Sequence, residues 1–420
     1  MNYRIFPPEE LPECSITLPL SKSMSARAVI INTLQHADMQ DMRLSDCTDT
    51  EAILRGINTL SGTVNVDNSG TSMRFLTSFY AATPGAEVEL DGCERMRQRP
   101  IAPLVQALRE CGASIQYLGQ EGFPPLKIRG SRLKGGHISV DATISSQFIS
   151  ALMMTAPYME QGLKISLDGE TSSRPYILMT AEMMNRAGAS VEIDSGSIVI
   201  QPIPYTTPIN SIEPDWSAAG FWYEIEALTS GFITLEGQLH PSVQGDALTA
   251  RIFSSLGVDT EYTDSGAELV ASPELSPRLQ LDLSATPDLA PALVVTCVML
   301  RIPFNFSGME SLTVKECDRV EALCREMLLV GAVLDASPPG ILSWDGVPRP
   351  IQALPEFSSY SDHRMAMALA PVAAYLPGII IREAECVAKS YPDFWEQMRL
   401  AGFIVQDEND PIPPQFADPQ

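Results

Sequence analysis

Positive charge is scarce in this 420-residue chain: 28 Lys and Arg stand against 52 Asp and Glu, a formal net charge of -24. Such a chain repels nucleic-acid phosphates and the anionic faces of membranes, so neither is expected as a partner. Histidine is scarcer still, with four residues, and the eight cysteines include no CxxC pair. That leaves no zinc-ligand spacing and predicts reduced thiols in a cytoplasmic protein. Apolar runs such as 289–300 are too short to cross a bilayer. The first ten residues lack the basic and apolar regions of a signal peptide, so export is not expected. Neither GxGxxG nor GKS/T occurs, which removes the dinucleotide fingerprint and the P-loop, and no Ser/His/Asp triad emerges. What is present is 45% hydrophobic residues, enough for a sizeable core, at a length that favours two domains over one.

An internal repeat organises the chain. Six helical stretches end in an apolar residue, a short spacer and a Gly, then pass into a strand-like run: Leu60 to Gly62, Leu108 to Gly112, Met184 to Gly188, Leu256-Gly257, Val330-Gly331 and Leu400 to Gly402. A Gly just past a helix end takes the left-handed cap geometry, and β-branched residues after it favour a strand. Successive glycines lie roughly 70 to 75 residues apart after a first step of 50, so one unit reads as truncated. Ala102 to Arg109 gathers Leu104, Val105 and Leu108 on one face, and Val320 to Leu329 does so with Leu323, Met327 and the following Val330. Val88-Glu-Leu, Leu163 to Leu167 and Ile198 to Pro202 alternate as strands do. The Pro-rich stretch 202–214 reads as a linker with three units on each side, and the acidic, Pro-rich tail 407–420 is expected to be disordered.

The few bases keep informative company. Ser21-Lys22-Ser23-Met-Ser-Ala-Arg27 opens a helix after a strand-like run, as either a Ser-rich cap or an anion site. Asn68-Ser-Gly70-Thr71-Ser-Met-Arg74 places a Gly where a ligand could approach the backbone, or simply caps a helix. Arg95-Met-Arg97-Gln-Arg99-Pro100 is either a solvated charge run or a second cationic site. Ser145-Ser146-Gln147 and Ser172-Ser173-Arg-Pro-Tyr176 add hydroxyl pairs ahead of helices. In Lys315-Glu316-Cys-Asp318-Arg319, Ser361-Asp362-His-Arg364 and Lys389-Ser-Tyr-Pro-Asp393 a cation stands beside a carboxylate, so mutual salt bridging is an alternative to ligand binding. Asp288 precedes the apolar run 289–300 and suits an N-cap as well as a catalytic acid. Cations and hydroxyls from both halves suit a polyanionic small ligand, with Asp288, Glu316 and Lys22 as acid/base candidates.

These motifs, in this order and over nearly the whole chain, resemble the 5-enolpyruvylshikimate-3-phosphate synthases, members of the enolpyruvyl transferase family. The resemblance implies an α/β (α+β) protein of two similar domains, each of three βαβαββ units in an inside-out α/β barrel. The domains implied are 20–213, on the shikimate 3-phosphate side, and 1–19 with 214–406, on the phosphoenolpyruvate side. The implied reaction moves the enolpyruvyl group of phosphoenolpyruvate to the 5-hydroxyl of shikimate 3-phosphate by addition and elimination, with domain closure and without metal or cofactor. Shikimate 3-phosphate would meet Lys22, Ser23, Arg27, Ser145, Ser146, Gln147, Ser173, Asp288, Ser311 and Lys315. Phosphoenolpyruvate would meet Lys22, Gly70, Arg99, Gln147, Arg319, Arg364 and Lys389. Asp288 would take the hydroxyl proton, Glu316 would shuttle the methylene proton, and Lys22 would stabilise charge. A cytoplasmic monomer is expected.

Four positions depart from the family pattern. Leu20 replaces Gly, Ala26 replaces Asn, Phe75 stands in place of Pro or Leu, and Ser311 replaces Asn. Two rivals remain: transfer of enolpyruvyl to UDP-N-acetylglucosamine, whose loop cysteine Cys93 superficially matches, and a non-catalytic anion-binding paralogue.

Overall fold

The computed structural model describes residues 1–141, 145–169 and 173–417, so Ile144, Ser172 and the last three residues of the tail lie outside the described residues. The chain divides into two compact units, Leu20–Ile212 and Met1–Pro19 with Glu213–Gln420.

In the first unit, two segments trace the same path. Strand Ser61–Asn65, helix Gly70–Ala82, strand Glu87–Asp91, helix Ala102–Glu110 and strands Ser114–Tyr117 and Leu126–Arg129 form one βαβαββ module. Its first two strands are parallel and its last two antiparallel, in the spatial order first, second, fourth, third. Residues 136–200 repeat this order with strands Gly136–Asp141, Leu163–Asp168, Val191–Ile193 and Ser197–Ile200. Residues 20–58 supply helices Lys22–Leu34 and Thr48–Ile57 with no strand pair of their own, which is the truncation expected from the short first step.

The other unit holds three modules. Strand Glu13–Thr17 lies parallel to Phe232–Glu236 at the edge of one sheet, and Tyr3–Phe6 completes another, between Ile379–Arg382 and Ile404–Asp407. In the middle module, strands Leu279–Asp282, Phe304–Ser307 and Leu342–Trp344 form a sheet, and its fourth strand shrinks to a single bridge, Asp335 to Ser343.

Each module uses two kinds of helix. The first is buried nearly all round: Lys22–Leu34, Gly70–Ala82, Ser146–Thr155, Trp216–Thr229, Ala290–Met299 and His363–Leu369. Such helices are covered on nearly every face, and their buried polar side chains are concentrated at the helix starts and at a few inner positions. The second is one-sided. Leu104, Val105 and Leu108 face the core, as do Leu323, Met327 and Val330. Burying each large apolar side chain contributes roughly 1.5–3 kcal/mol. Among the described residues no helix is long and apolar enough to cross a membrane.

All six junction glycines have positive φ, from 83° at Gly331 to 100° at Gly112. At Gly112, Gly188, Gly331 and Gly402 the residue after the Gly donates back five residues, for example Ala332 N–H to Met327 O at 2.9 Å. This double-bonded stop satisfies the last carbonyls and turns the chain into the next strand.

The boundary between the units falls inside the Pro-rich stretch, and the part before it is packed on the Leu20–Ile212 unit. Asn32 donates to Ile209 O at 2.9 Å and accepts from Ile209 N–H at 2.9 Å, while Tyr205 is buried and donates to Met154 O. The tail through Ala417 is likewise placed, with the Phe416 ring stacked on Phe6 at 4.8 Å.

Candidate active site

The functional motifs sit at helix starts, where unpaired N–H groups and the helix dipole favour anions. In the unit containing residues 213–420, Arg319 opens helix Arg319–Leu329, Asp362 caps His363–Leu369, and Asp288 lies on the turn leading into Ala290–Met299. These elements converge on the Arg319 guanidinium, which is 1% exposed. Its Nε and Nη2 donate to Asp362 at 2.8 and 3.2 Å, Nη1 to Asp288 at 2.9 Å, and Nη2 also to Glu316 at 3.0 Å. Arg364 Nη2 donates to the other Asp288 oxygen at 3.0 Å, and Lys389 Nζ donates to Glu316 at 2.8 Å. Lys315 Nζ stands 3.9 Å from Asp288. Four cations and three carboxylates thus share one cluster.

That arrangement fixes the electrostatics. Burial alone would raise the Asp288 pKa, but Arg364, Lys315 and Arg319 outweigh it and hold the carboxyl far below the usual range. Asp246, close by, shows the reverse. Burial first, then the Asp288 charge, pushes it up to about 6, although it accepts a hydrogen bond from Ser217. Ser311 lies on the short turn Glu310–Val314 that delivers Lys315.

In the 20–212 unit, Lys22 opens its helix behind the cap residue Ser21, and its Nζ lies 3.1 Å from Asp49. The Asp49 carbonyl accepts from Ser72 Oγ at 3.0 Å, which ties this pair to the start of helix Gly70–Ala82. A β-carbon at Gly70 would lie 2.8 and 2.9 Å from Arg99 Nη1 and Nη2, and closer still to Arg74, so only Gly leaves these guanidinium groups in place. Gln147 Nε2 donates to Thr71 Oγ1 at 3.1 Å, bringing the Ser145-Ser146-Gln147 helix start to the same place. Ser145 caps that helix, Ser146 is buried in its first turn, and Ser173 precedes helix Arg174–Arg186 with φ 54°.

The arginine-rich run splits between its two readings. Arg97 is exposed and pairs with Asp91 at 2.6 Å, whereas Arg99 is buried at the site. Cys93 precedes the short helix Glu94–Arg97.

Arg27 is engaged within its own unit. Its buried guanidinium donates to Thr180 Oγ1 at 2.6 Å, Ser23 O at 2.8 Å, Ser150 Oγ at 3.2 Å and Tyr176 O at 3.4 Å, with Phe75 5.3 Å away. Burial pushes its pKa down to about 10. In this structure it braces three helices.

Comparison with known proteins assigns the lineage. The family model for EPSP synthase (3-phosphoshikimate 1-carboxyvinyltransferase) matches residues 62–398. A 3-phosphoshikimate 1-carboxyvinyltransferase of Bacteroides fragilis is 45% identical over 408 residues, covering 97% of this chain and 99% of that protein. The chain belongs to the EPSP synthase family. A more distant relative from Halalkalibacterium halodurans, 3-phosphoshikimate 1-carboxyvinyltransferase 2, is 30% identical over 424 residues, covering 96% of this chain and 94% of its own. The fold matches that of EPSP synthase from Acinetobacter baumannii with a TM-score of 0.73 at 22% identity, covering 97% of this chain and 100% of the other.

For this EPSP synthase family member, sequence reasoning overlooked Asp49 as the partner of Lys22, Asp362 as the carboxylate under Arg319, and the Asp246–Ser217 pair. Asp362 carried a visible signal, since it immediately precedes the helix bearing Arg364.

Proposed function

We propose that this chain transfers the enolpyruvyl group of phosphoenolpyruvate to the 5-hydroxyl of shikimate 3-phosphate, releasing phosphate, on the route to aromatic amino acids. The observation that carries the reading is the Asp288–Arg319–Arg364–Glu316–Lys389 cluster, in a chain of this family. In the addition step O5 bonds to C2 of phosphoenolpyruvate while Glu316, as the acid, protonates the C3 methylene. The hydroxyl proton passes to Asp288. In elimination the C2–O bond to phosphate breaks, Glu316 takes back a proton from the C3 methyl group, and Asp288 yields the hydroxyl proton to the departing phosphate. Atoms and charge balance without a redox partner.

The ion pairs explain how these carboxylates become competent. Paired with Arg319, Arg364 and Lys315, Asp288 is a poor base. Glu316 is paired with Arg319 and Lys389. Phosphoenolpyruvate brings a phosphate and a carboxylate that compete for the same cations. At an effective dielectric near 20, each pair at about 4 Å is worth roughly 4 kcal/mol before desolvation. As Arg319 and Arg364 turn to the substrate, Asp288 loses charges that suppress its protonation. Bidentate arginines suit phosphate and carboxylate alike.

In the other unit, Arg99 beside Gly70 and the start of helix Gly70–Ala82 would serve phosphoenolpyruvate. Ser23, Arg27, Ser145, Ser146, Gln147 and Ser173 would hold shikimate 3-phosphate, with Ser311 and Lys315 contributing from the 213–420 unit. Lys22 would offset charge that develops during the addition. We infer a cytoplasmic enzyme acting as a monomer, without nucleic-acid or membrane partners.

The test is phosphate release from phosphoenolpyruvate with shikimate 3-phosphate present, for the parent chain and Glu316→Gln. The parent should turn over, and the variant should lose about 10²–10⁴-fold in kcat. A parent that binds both compounds but releases no phosphate would leave a binding protein in place of an enzyme.

A further inference from the structure

We propose that Glu326 and Tyr360, which are not among the groups assigned to chemistry, are positioning residues for phosphoenolpyruvate binding. They clamp the turn that presents Asp362 to Arg319 and Arg364. This inference rests on the assignment of those two arginines under Proposed function.

Asp362 is fully buried and serves both arginines at once. Its carboxylate accepts the Nε and Nη2 fork of Arg319, and Oδ1 also accepts the backbone N–H of Arg364 at 2.9 Å. Cys317 Sγ approaches the remaining side at 3.6 Å. A shift of this one carboxylate would therefore turn the Arg319 guanidinium plane and move the first turn of the helix that carries Arg364.

The turn that delivers Asp362 is backbone-strained. Tyr360 and Ser361, neither a glycine, are successive left-handed residues with φ 55° and 53°. Such a pair persists only where the surroundings over-determine it. Here they do. Tyr360 Oη donates to Glu326 Oε1 at 2.6 Å, and Ser358 N–H donates to Glu326 Oε2 at 3.1 Å. Ser361 N–H donates to Ser359 Oγ at 3.2 Å and to Glu383 at 3.0 Å, and Asp362 N–H closes the turn on Ser359 O at 2.9 Å.

Glu326 lies seven residues after Arg319 on helix Arg319–Leu329, hence on the same face and about 10 Å along the axis. One helix thus grips the turn twice, through Arg319 at Asp362 and through Glu326 at Tyr360. The Glu326 carboxylate is buried and meets no substrate group in this reading. Its contribution is to hold the strained turn against relaxation.

The test uses the full chain, with Tyr360→Phe, Glu326→Ala and Glu326→Gln compared by steady-state kinetics and thermal unfolding, and Arg364→Ala as reference. Misplacement of binding groups by a fraction of an ångström costs less than the roughly 10²-fold associated with 1 Å. We therefore expect Tyr360→Phe to raise the phosphoenolpyruvate KM about tenfold while the shikimate 3-phosphate KM stays within about twofold. Glu326→Ala should do at least as much. Glu326→Gln, which keeps an acceptor for Ser358 and a partner for the Tyr360 hydroxyl, should recover most of the loss. If Arg364→Ala leaves the phosphoenolpyruvate KM unchanged, the assignment of the arginines fails. If Arg364→Ala raises it but the Tyr360 and Glu326 variants do not, or they weaken both substrates equally as they lower Tm, the positioning role fails. Should Tyr360→Phe not fold, the contrast between Glu326→Ala and Glu326→Gln decides the same question.

Discussion

The two units prepare for anions by opposite means. The 213–420 unit pins Lys315, Arg319, Arg364 and Lys389 against Asp288, Glu316 and Asp362 in a buried, nearly compensated cluster. The 20–212 unit relies on helix starts, hydroxyls and the close approach at Gly70, with one Lys22–Asp49 pair. A compensated cluster costs desolvation in the free protein and responds when a ligand exchanges partners with it. Backbone N–H groups and hydroxyls need no such exchange and are preformed. The first arrangement can change the protonation of its carboxylates when an anion arrives, and the second holds an anion without such a change.

The largest expected effect tests the compensated side. Arg319→Ala strips three carboxylates of a shared partner, and breaking a buried pair costs roughly 3–5 kcal/mol. The unfolding midpoint should fall by about 10 °C, taking 2–4 °C per kcal/mol for a unit of this size. Activity should fall by about 10³-fold or more, the scale of losing a transition-state donor. Arg319→Lys should recover little, because an ammonium cannot reproduce the fork on Asp362. A stable, active Arg319→Ala protein would remove the basis for the contrast.

Asp49→Asn probes the other side with a smaller effect. Lys22 keeps an oxygen at the same place but loses the charge that fixes it, so kcat should fall about 10²-fold, the lower range for a positioned acid/base group. Stability should fall by less than for Arg319→Ala, since one buried pair is weakened there in place of three. Destabilisation equal to that of Arg319→Ala, measured side by side by denaturant melts, would erase the difference between the units.

What the sequence made visible follows the same division. Helix starts are local, so Lys22, Gly70, Ser145, Ser173, Asp288, Arg319 and Arg364 stood out beside hydroxyls, glycines and apolar runs. The repeat was visible because a Gly after a helix end has a backbone reason to recur. Pairings across long sequence separations leave no such trace. Asp362 meets Arg319 across 43 residues and Tyr360 meets Glu326 across 34. Arg27 and the Pro-rich stretch likewise have long-range partners that no local motif announces, Thr180 and Ser150 for the guanidinium and Asn32 for Ile209.

The smallest effect concerns a carboxylate away from the cluster. Glu226, on helix Trp216–Thr229, is buried and its two oxygens have no hydrogen-bond partner among the described residues. Burial raises its pKa from 4.5 to about 7, and its charge in turn adds to burial in pushing the neighbouring Cys14 thiol up to about 11. A raised folded-state pKa means that the fold binds the proton more tightly than the unfolded chain does. Its stabilising contribution is complete below pH 4.5 and is lost as pH rises through about 7. Glu226→Gln cannot titrate, so at pH 8 it should be more stable than the parent by about 1–2 kcal/mol, the shift being reduced for partial screening by solvent. Near pH 4.5 the two should coincide, and kcat should match throughout because Glu226 touches no catalytic group. Parallel unfolding curves at every pH would show that Glu226 ionises inside the fold as it does in water. The burial of an uncompensated carboxylate in this unit would then carry no cost, and neither would the compensation at Arg319 be needed to offset one.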